Sequence, residues 1–197
     1  MERPKQDFNT ITLVTIPVAI AINIAVGQLI VTLKLPIYLD SIGTVLVGVL
    51  AGPWVGALTG LLSNLIWGLS GMNVTYAPFA TVAAVIGALA GLFSQAGWMR
   101  AWWKVILAGL ITGLVASALS APISAYVFGG VMGAGTDAVV AIFRGMGWGI
   151  LPSTFAQGAI SDPFDKVVTY LLVYLIVRAL PARFVFRFPR ASDVKPS

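Results

Sequence analysis

The sequence predicts an all-α membrane protein whose six transmembrane helices form one compact bundle. Hydrophobic residues make up 58% of the 197-residue chain and charged residues only 10%, whereas a soluble domain carries roughly 25% charged residues. Apolar segments approaching the length of about 20 residues that spans a bilayer recur along the chain. A chain of this length is typical of one domain, so we expect a single bundle.

The first three predicted helices occupy residues 10–33, 39–51 and 54–69. The first contains no charged residue. A Gly52-Pro53 pair ends the second, and Pro53 suits the first position of the third because no backbone N–H is needed there. The second and third are short for a span, so we expect local bilayer thinning or shielding by neighbouring helices.

The last three predicted helices occupy residues 79–96, 105–128 and 165–180. Residues 129–158 are richer in glycine and less apolar. Within them, residues 137–148 are a candidate for a short helix that lies across one face of the bundle.

The ends of the chain predict the orientation in the membrane. We expect an N-terminal tail at residues 1–9, the bundle at residues 10–180 and a basic C-terminal tail at residues 181–197, disordered from residue 191. Six spans place both termini on one side, together with nine of the 12 Lys and Arg residues. The other side keeps Lys34, Arg144 and Lys166, so the positive-inside rule predicts cytoplasmic termini.

Two absent residue types exclude several kinds of site. The chain has no Cys and no His, which excludes disulfides, thiolate or histidine metal sites and the usual catalytic triads. We expect no enzyme activity, no metal and no cofactor. The net charge of +5 comes from residues at the ends and in particular loops, which indicates membrane topology rather than nucleic-acid binding.

Charged residues on the outer side have two interpretations. Asp40, Asp162 and Asp165 fall close to predicted helix starts, where a carboxylate caps free backbone N–H groups. Alternatively, some of them converge with Arg144 and Lys166 on a pocket, because charged groups at membrane depth usually face a bundle interior or a cavity. The sequence leaves both interpretations open.

Aromatic and amide side chains on the outer half also have two interpretations. Asn64 and Trp67 share one face of the third helix. With other rings and amides they would suit a flat heteroaromatic ligand, but Trp and Tyr also form interfacial belts. The further members of this set are Asn73, Tyr76, Tyr126, Trp148 and Gln157.

Small residues on the first helix form a third pattern. Ala21 and Ala25 stand four residues apart, and small residues at this spacing allow helices to approach closely. The pair is compatible with packing inside the bundle or with docking of another membrane protein.

Several segments together resemble the substrate-binding S component of energy-coupling factor (ECF) transporters. They are LPIYLDSIGTVLVGVLAGPWVGALTGLLSNLIWG, the AxxxA spacing of Ala21 and Ala25, APISAYVFGG, and SDPFDK before the last helix. The resemblance covers residues 16–180. It implies a six-helix protein of a prokaryotic plasma membrane that captures a vitamin or related micronutrient on the outer face.

The resemblance also implies partners and a site. Ala21 and Ala25 would contact a transmembrane coupling protein, which works with two cytoplasmic ATPases. The chain has no GxxxxGK[ST] motif, so energy would come from these partners. The implied substrate-binding residues are Lys34, Tyr38 and Asp40 in the first loop, Asn64, Trp67, Asn73 and Tyr76 near it, and Tyr126, Arg144, Gln157, Asp162 and Lys166 opposite.

Two other functions remain open at this point. The bundle would also serve as a membrane ligand sensor or as a stand-alone secondary transporter, although no internal repeat typical of the latter is visible. The substrate stays unassigned, because the outer charges are compatible with an anion, a zwitterion or a neutral ring.

Overall fold

The computed structural model describes residues 8–195, which contain helices and connecting loops but no β-strand. Residues 1–7 of the predicted N-terminal tail and residues 196–197 lie outside the described part. The described α-helices are α1 (Thr10–Thr32), α2 (Ile42–Ala51), α3 (Pro53–Leu69), α4 (Ala80–Gln95), α5 (Trp102–Phe128), α6 (Asp137–Gly145), α7 (Ile150–Ala179), α8 (Ala182–Val185) and α9 (Ala191–Val194). Short 3₁₀ helices cover Val74–Phe79 and Trp98–Arg100.

Three stretches are suited to cross a membrane by their length and hydropathy. They are α1, the continuous stretch Val74–Gln95 that ends with α4, and α5. The chain is therefore all-α and has the features of an integral membrane protein, as the composition predicts. The break at Gly52 and the start of α3 at Pro53 also agree with the sequence prediction.

Helix α2 lies at the centre of the bundle. Nine of its ten residues are buried, and it packs against α1, α3, α4 and α7. Gly43 faces the backbone carbonyl of Ala19 in α1 and Gly48 faces that of Gly87 in α4, with no room for a Cβ atom at either glycine. Because protein surrounds α2, its short length does not have to match the bilayer.

Helices α5 and α7 pack closely through small residues. A Cβ atom at Gly113 would lie 2.5 Å from the backbone nitrogen of Pro163, and one at Gly109 would lie 2.6 Å from the Cα atom of Val167. Close backbone approach of this kind is typical of helix pairs in membranes. It fixes the face of α7 that points into the bundle.

Helix α7 begins at Ile150, so the predicted start at residue 165 is wrong. Pro163 lies inside this helix, although proline in a helix interior removes a backbone hydrogen bond. The helix continues because Pro163 packs against Gly113 and Gly158 packs against Ser117. Asp162 and Asp165 thus lie inside α7, and the interpretation of these two residues as caps at a helix start is wrong.

The segment Pro181–Lys195 packs against one end of the bundle. Val185, Phe188, Ala191 and Val194 are buried, and the Arg190 backbone N–H donates to the Leu50 carbonyl over 3.1 Å. The expectation of disorder from residue 191 is therefore wrong for residues 191–195, because apolar side chains bury this segment.

This end of the bundle, called the basic end below, is formed by the start of α1, the end of α2 and Pro181–Lys195. The Asn9 amide donates to the Arg187 carbonyl over 3.4 Å, which joins the two ends of the described chain. Arg100 donates to the Ser192 carbonyl over 2.7 Å. The basic end thus gathers most of the described Lys and Arg residues.

Candidate functional site

A cavity lies at the end of the bundle opposite the basic end. Ser41, just before α2, lines it, as do residues of α3, α4, α5 and α7. Two loops, residues 33–41 and 129–136, complete its wall and are called the loop pair below. The cavity holds about 870 Å³ of space not filled by protein atoms, its open mouth included. The volume that compares with published pocket volumes is about 100 Å³, below the range of about 300–1,000 Å³ typical of drug-sized ligands, so the cavity as it stands suits a small ligand.

Eight of the twelve predicted substrate-binding residues line this cavity. They come from the first loop, α3, the segment after α3, and α7, which are far apart in the sequence. These eight are Tyr38, Asp40, Asn64, Asn73, Tyr76, Gln157, Asp162 and Lys166.

The other four predicted residues lie outside the cavity lining. Trp67 is fully buried behind it. Lys34 is exposed and donates to the Gly133 carbonyl over 2.5 Å. Tyr126 is 72% exposed on α5. Arg144 is exposed on α6 and donates to the Trp148 carbonyl over 3.0 Å, so the structure does not bring Tyr126 or Arg144 to the cavity.

Trp67 supports the aromatic wall of the cavity. Its ring stacks on Tyr76 with centroids 3.6 Å apart and planes 20° apart, and its Nε1–H donates to Gln28 Oε1 over 3.2 Å. Gly27 in α1 leaves the space that the Trp67 ring fills, because a Cβ atom there would lie 2.8 Å from Cζ3. Trp67 therefore holds one face of Tyr76, and Tyr76 lines the cavity.

Asp165 fixes the first loop of the loop pair from within α7. Its Oδ1 accepts hydrogen bonds from the backbone N–H groups of Tyr38, over 3.0 Å, and Leu39, over 2.7 Å. Leu39 has a positive φ of 47°, a conformation that side chains other than glycine rarely adopt. The Asp165 carboxylate thus holds the loop in a shape that the sequence alone would not favour.

The Tyr38 side chain joins the two loops to α7. Its hydroxyl donates to Thr136 Oγ1 over 3.2 Å and accepts from Gln157 Nε2 over 3.1 Å. Burial raises the pKa of Tyr38 well above its ordinary value, with the nearby Asp162 carboxylate adding to the shift. The hydroxyl therefore stays protonated and keeps its donor role at physiological pH.

The Lys166 ammonium holds the charged wall of the cavity together. Its Nζ lies 2.5 Å from Asp165 Oδ2, 2.9 Å from Ser41 Oγ and 3.4 Å from Asp40 Oδ1. Burial raises the pKa of Asp40, and the attraction of Lys166 opposes that shift. Of the two interpretations of Asp40, the structure favours the pocket over the helix cap, because Asp40 forms an ion pair with Lys166. This ion pair joins the start of α2 to α7.

One structural residue close to the site, Asn23, was not singled out from the sequence, and the role of Asp165 was left open between a helix cap and a pocket residue. Asp165 lies three residues after Asp162, so both fall on one face of α7, and that spacing would have identified it once α7 was known to be continuous. Asn23 is fully buried in α1. Its amide donates to Thr44 Oγ1 over 2.8 Å and to Ser63 Oγ over 3.2 Å, joining α1, α2 and α3. A lone Asn in an otherwise apolar segment was the available signal.

Ala21 and Ala25 lie on the outer face of α1 and are exposed. Val18 and Leu29, which are 56% and 57% exposed, continue this face. The two alanines thus take no part in the packing of the described bundle.

No protein-family model, characterised protein or solved structure matches the chain.

Proposed function

We propose that this chain is the substrate-binding S component of an ECF-type importer in a prokaryotic plasma membrane. It captures a vitamin or related micronutrient on the outer face and works with a coupling protein and two ATPases. The observation that carries the proposal is the cavity at the end opposite the basic end, closed by the loop pair. A buried site with an aromatic wall and a few polar groups suits a small ring-containing nutrient.

The proposed membrane arrangement has six spans: α1, α2, α3, Val74–Gln95, α5 and α7. Helices α2, α3 and α7 do not meet the length and hydropathy of a simple span, and each has a physical reason. Helix α2 is surrounded by protein, and the 17 residues of α3 rise about 26 Å. In α7, Asp162 and Lys166 line the cavity and Asp165 is buried beside Lys166, so these charges do not face lipid. The concentration of Lys and Arg at the basic end supports cytoplasmic termini.

The exposed face of α1 is the proposed contact for the coupling protein. Ala21 and Ala25 present little side-chain bulk there, so a partner helix is able to approach the α1 backbone closely. A face that carries no charge also allows the bundle to reorient in lipid at low cost. Opening of the loop pair would then release the substrate when the ATPases act on the partners.

A thermal-shift screen of the detergent-purified full chain against vitamins, vitamin precursors and nucleobases tests the binding function. We expect one selective ligand, since a ligand at a hundredfold excess over its Kd stabilises the folded state by about 2.7 kcal/mol. For a chain of this size, that raises the Tm by about 5–11 °C. A folded protein that no member of the panel stabilises would contradict the proposal.

Two tyrosines offer a matched pair of variants for the same screen. Tyr76→Ala removes a ring that lines the cavity, whereas Tyr126→Ala removes an exposed ring outside it. We expect the ligand-induced shift to disappear in the first variant and to persist in the second. A shift that persists in both variants would place the ligand elsewhere on the chain.

Replacement of the α1 alanines separates transport from sensing. We expect Ala21→Leu/Ala25→Leu to bind the ligand normally but to lose ATP-dependent uptake of the radiolabelled ligand in cells that express the coupling protein and ATPases. Uptake without the ATPases would instead identify a secondary transporter. Binding with no uptake by the unmodified chain, with all partners present, would identify a sensor.

A further inference from the structure

The charges around the cavity do not balance. Asp40, Asp162 and Lys166 line it, and Asp165 lies directly behind Lys166. All are buried within the bundle apart from an 18% exposed Asp40 side chain. Three carboxylates thus share one ammonium group. A buried charge is normally paired, because its desolvation is costly.

Lys166 has no hydrogen-bond donor left for a ligand. An ammonium group has three N–H donors, and those of Lys166 are directed at Asp165, Ser41 and Asp40. The other two basic residues predicted for the site, Lys34 and Arg144, are exposed and bonded to backbone carbonyls outside the cavity lining. A carboxylate or phosphate ligand would therefore meet carboxylates in this cavity and no available cation.

Asp162 is the one of these three carboxylates that forms no salt bridge among the described residues, and the Lys166 charge reaches it only at longer range. It is 6% exposed, and its one hydrogen bond among the described residues comes from Ser120 Oγ over 3.5 Å, the outer limit for such a bond. The salt bridges found in residues 8–195 involve Asp40 and Asp165 but not Asp162. Its carboxylate thus keeps nearly all of its acceptor capacity.

Ser124 provides an independent sign that the cavity is built to receive a polar ligand. Ser124 lines the cavity and is only 3% exposed, yet its buried Oγ has no hydrogen-bond partner among the described residues. Buried polar groups are nearly always hydrogen-bonded in folded proteins. A ligand with a polar group would supply the missing partner.

The aromatic wall favours the same type of ligand as Asp162 does. Tyr76 lines the cavity, and Trp67 stacks on its other side. The face of an aromatic ring carries partial negative charge and attracts a cation that lies over it. A flat ring with a positive charge would use both the ring of Tyr76 and the carboxylate of Asp162.

We propose that the cavity binds a small, flat ring compound that carries a positively charged nitrogen, with Asp162 as its counter-ion. This inference rests on the proposed substrate-binding function and names the class of substrate. The nitrogen would donate to the Asp162 carboxylate, and the Ser124 hydroxyl would bond a second polar group of the ring.

Three probes of nearly equal shape test the charge preference directly. Benzamidinium, benzamide and benzoate carry charges of plus one, zero and minus one on the same ring. Binding of each to the purified full chain is measured by calorimetry and by thermal shift. We expect benzamidinium to bind and to raise the Tm, and the other two to bind at least about tenfold more weakly, since charge-assisted hydrogen bonds are the stronger ones.

Asp162→Asn is the decisive variant, and Asp193→Asn is its control. Both remove one carboxylate charge, but Asp193 lies in the segment at the basic end. We expect benzamidinium binding to weaken about tenfold or more in Asp162→Asn and to be unchanged in Asp193→Asn. Size-exclusion chromatography checks that both variants are folded.

The outcomes distinguish this inference from the proposed function. Tighter binding of benzoate or benzamide, or unchanged benzamidinium binding in Asp162→Asn, would overturn the cation preference. A neutral or anionic vitamin that binds in the cavity would do the same while leaving the proposed function intact. Binding of benzamidinium through Asp162, with no nutrient bound, would support the charge assignment and reject the nutrient-binding function. If no probe and no nutrient binds, both are rejected.

Discussion

Asp162 and Asp165 offer a sharp test of how the cavity is built, because they are two buried carboxylates on one face of α7. Asp165 accepts from Lys166 over 2.5 Å and from two backbone N–H groups of the first loop. Asp162 has a single long bond to Ser120. Asparagine has nearly the same shape as aspartate, so Asp165→Asn and Asp162→Asn change charge with little change in packing.

We expect the two substitutions to act on stability in different directions. Breaking a buried ion pair by removing one partner costs about 3–5 kcal/mol. Asp40 remains 3.4 Å from Lys166, which places Asp165→Asn near the lower end, at about 3 kcal/mol. In a chain of this size that lowers the Tm by about 6–12 °C. Asp162→Asn removes a buried charge that forms no salt bridge within residues 8–195, so its Tm should stay the same or rise.

The assay is thermal unfolding of the full chain in detergent, followed by tryptophan fluorescence without ligand. The two variants have the same net charge, so each serves as the control for the other. A fall of similar size in both variants, or a larger fall in Asp162→Asn, would show that Asp162 has a stabilising partner. The charge imbalance described above would then be refuted.

Three further predictions concern packing, the aromatic wall and pH. Gly113→Leu should reduce the free energy of unfolding by at least about 1–3 kcal/mol through overpacking and so lower the Tm. Gly145→Ala should leave the Tm unchanged, because a Cβ atom at Gly145 meets open space. Equal effects of the two substitutions would contradict the close contact of α5 and α7. Trp67→Ala should cost about 3–5 kcal/mol in chemical unfolding and weaken ligand binding through Tyr76; unchanged binding would contradict the supporting role of Trp67. Burial raises the pKa of Tyr38, so above about pH 10 the unfolded chain loses this proton while the folded chain keeps it, and stability falls as pH rises. Tyr38→Phe should reduce that slope in Tm measurements between pH 9 and 11, and an unaltered slope would contradict the burial of the hydroxyl.

The sequence predicts the helices of the first half well because their limits are local. Pro53 and the glycine before it mark the join between α2 and α3 regardless of what packs around them. The first half of α7 is different. Pro163 and Gly158 weaken a helix locally, and the compensating contacts with Gly113 and Ser117 come from α5, about 45 residues away along the chain.

The candidate site divides in the same way. Convergence of Asp40, Asp162 and Lys166 on a pocket is one of the two interpretations that the sequence offers, because charged residues at membrane depth avoid lipid, and this rule needs no knowledge of the fold. The position of Tyr126 depends on which way a face of α5 points, and the evenly apolar sequence of α5 does not fix this. Helix α6 around Arg144 is amphipathic, but its pattern does not tell whether the polar face borders the cavity. The sequence left Asp165 open between a local cap and a pocket residue, because its true partners in the first loop are more than 120 residues away.

Comparison of Asp162 with Asp165 indicates why position 162 carries an aspartate. Asp165 is explained by the fold, since it neutralises Lys166 and holds the first loop in place. Asp162 has no such explanation, because its nearest polar partner is 3.5 Å away and its burial carries a desolvation cost. A side chain that costs stability and faces a cavity is typical of a binding site, where stability is traded for recognition. We therefore expect Asp162→Asn to fold stably but to lose ligand binding. That result would support both the role of Asp162 as counter-ion and the proposed binding function.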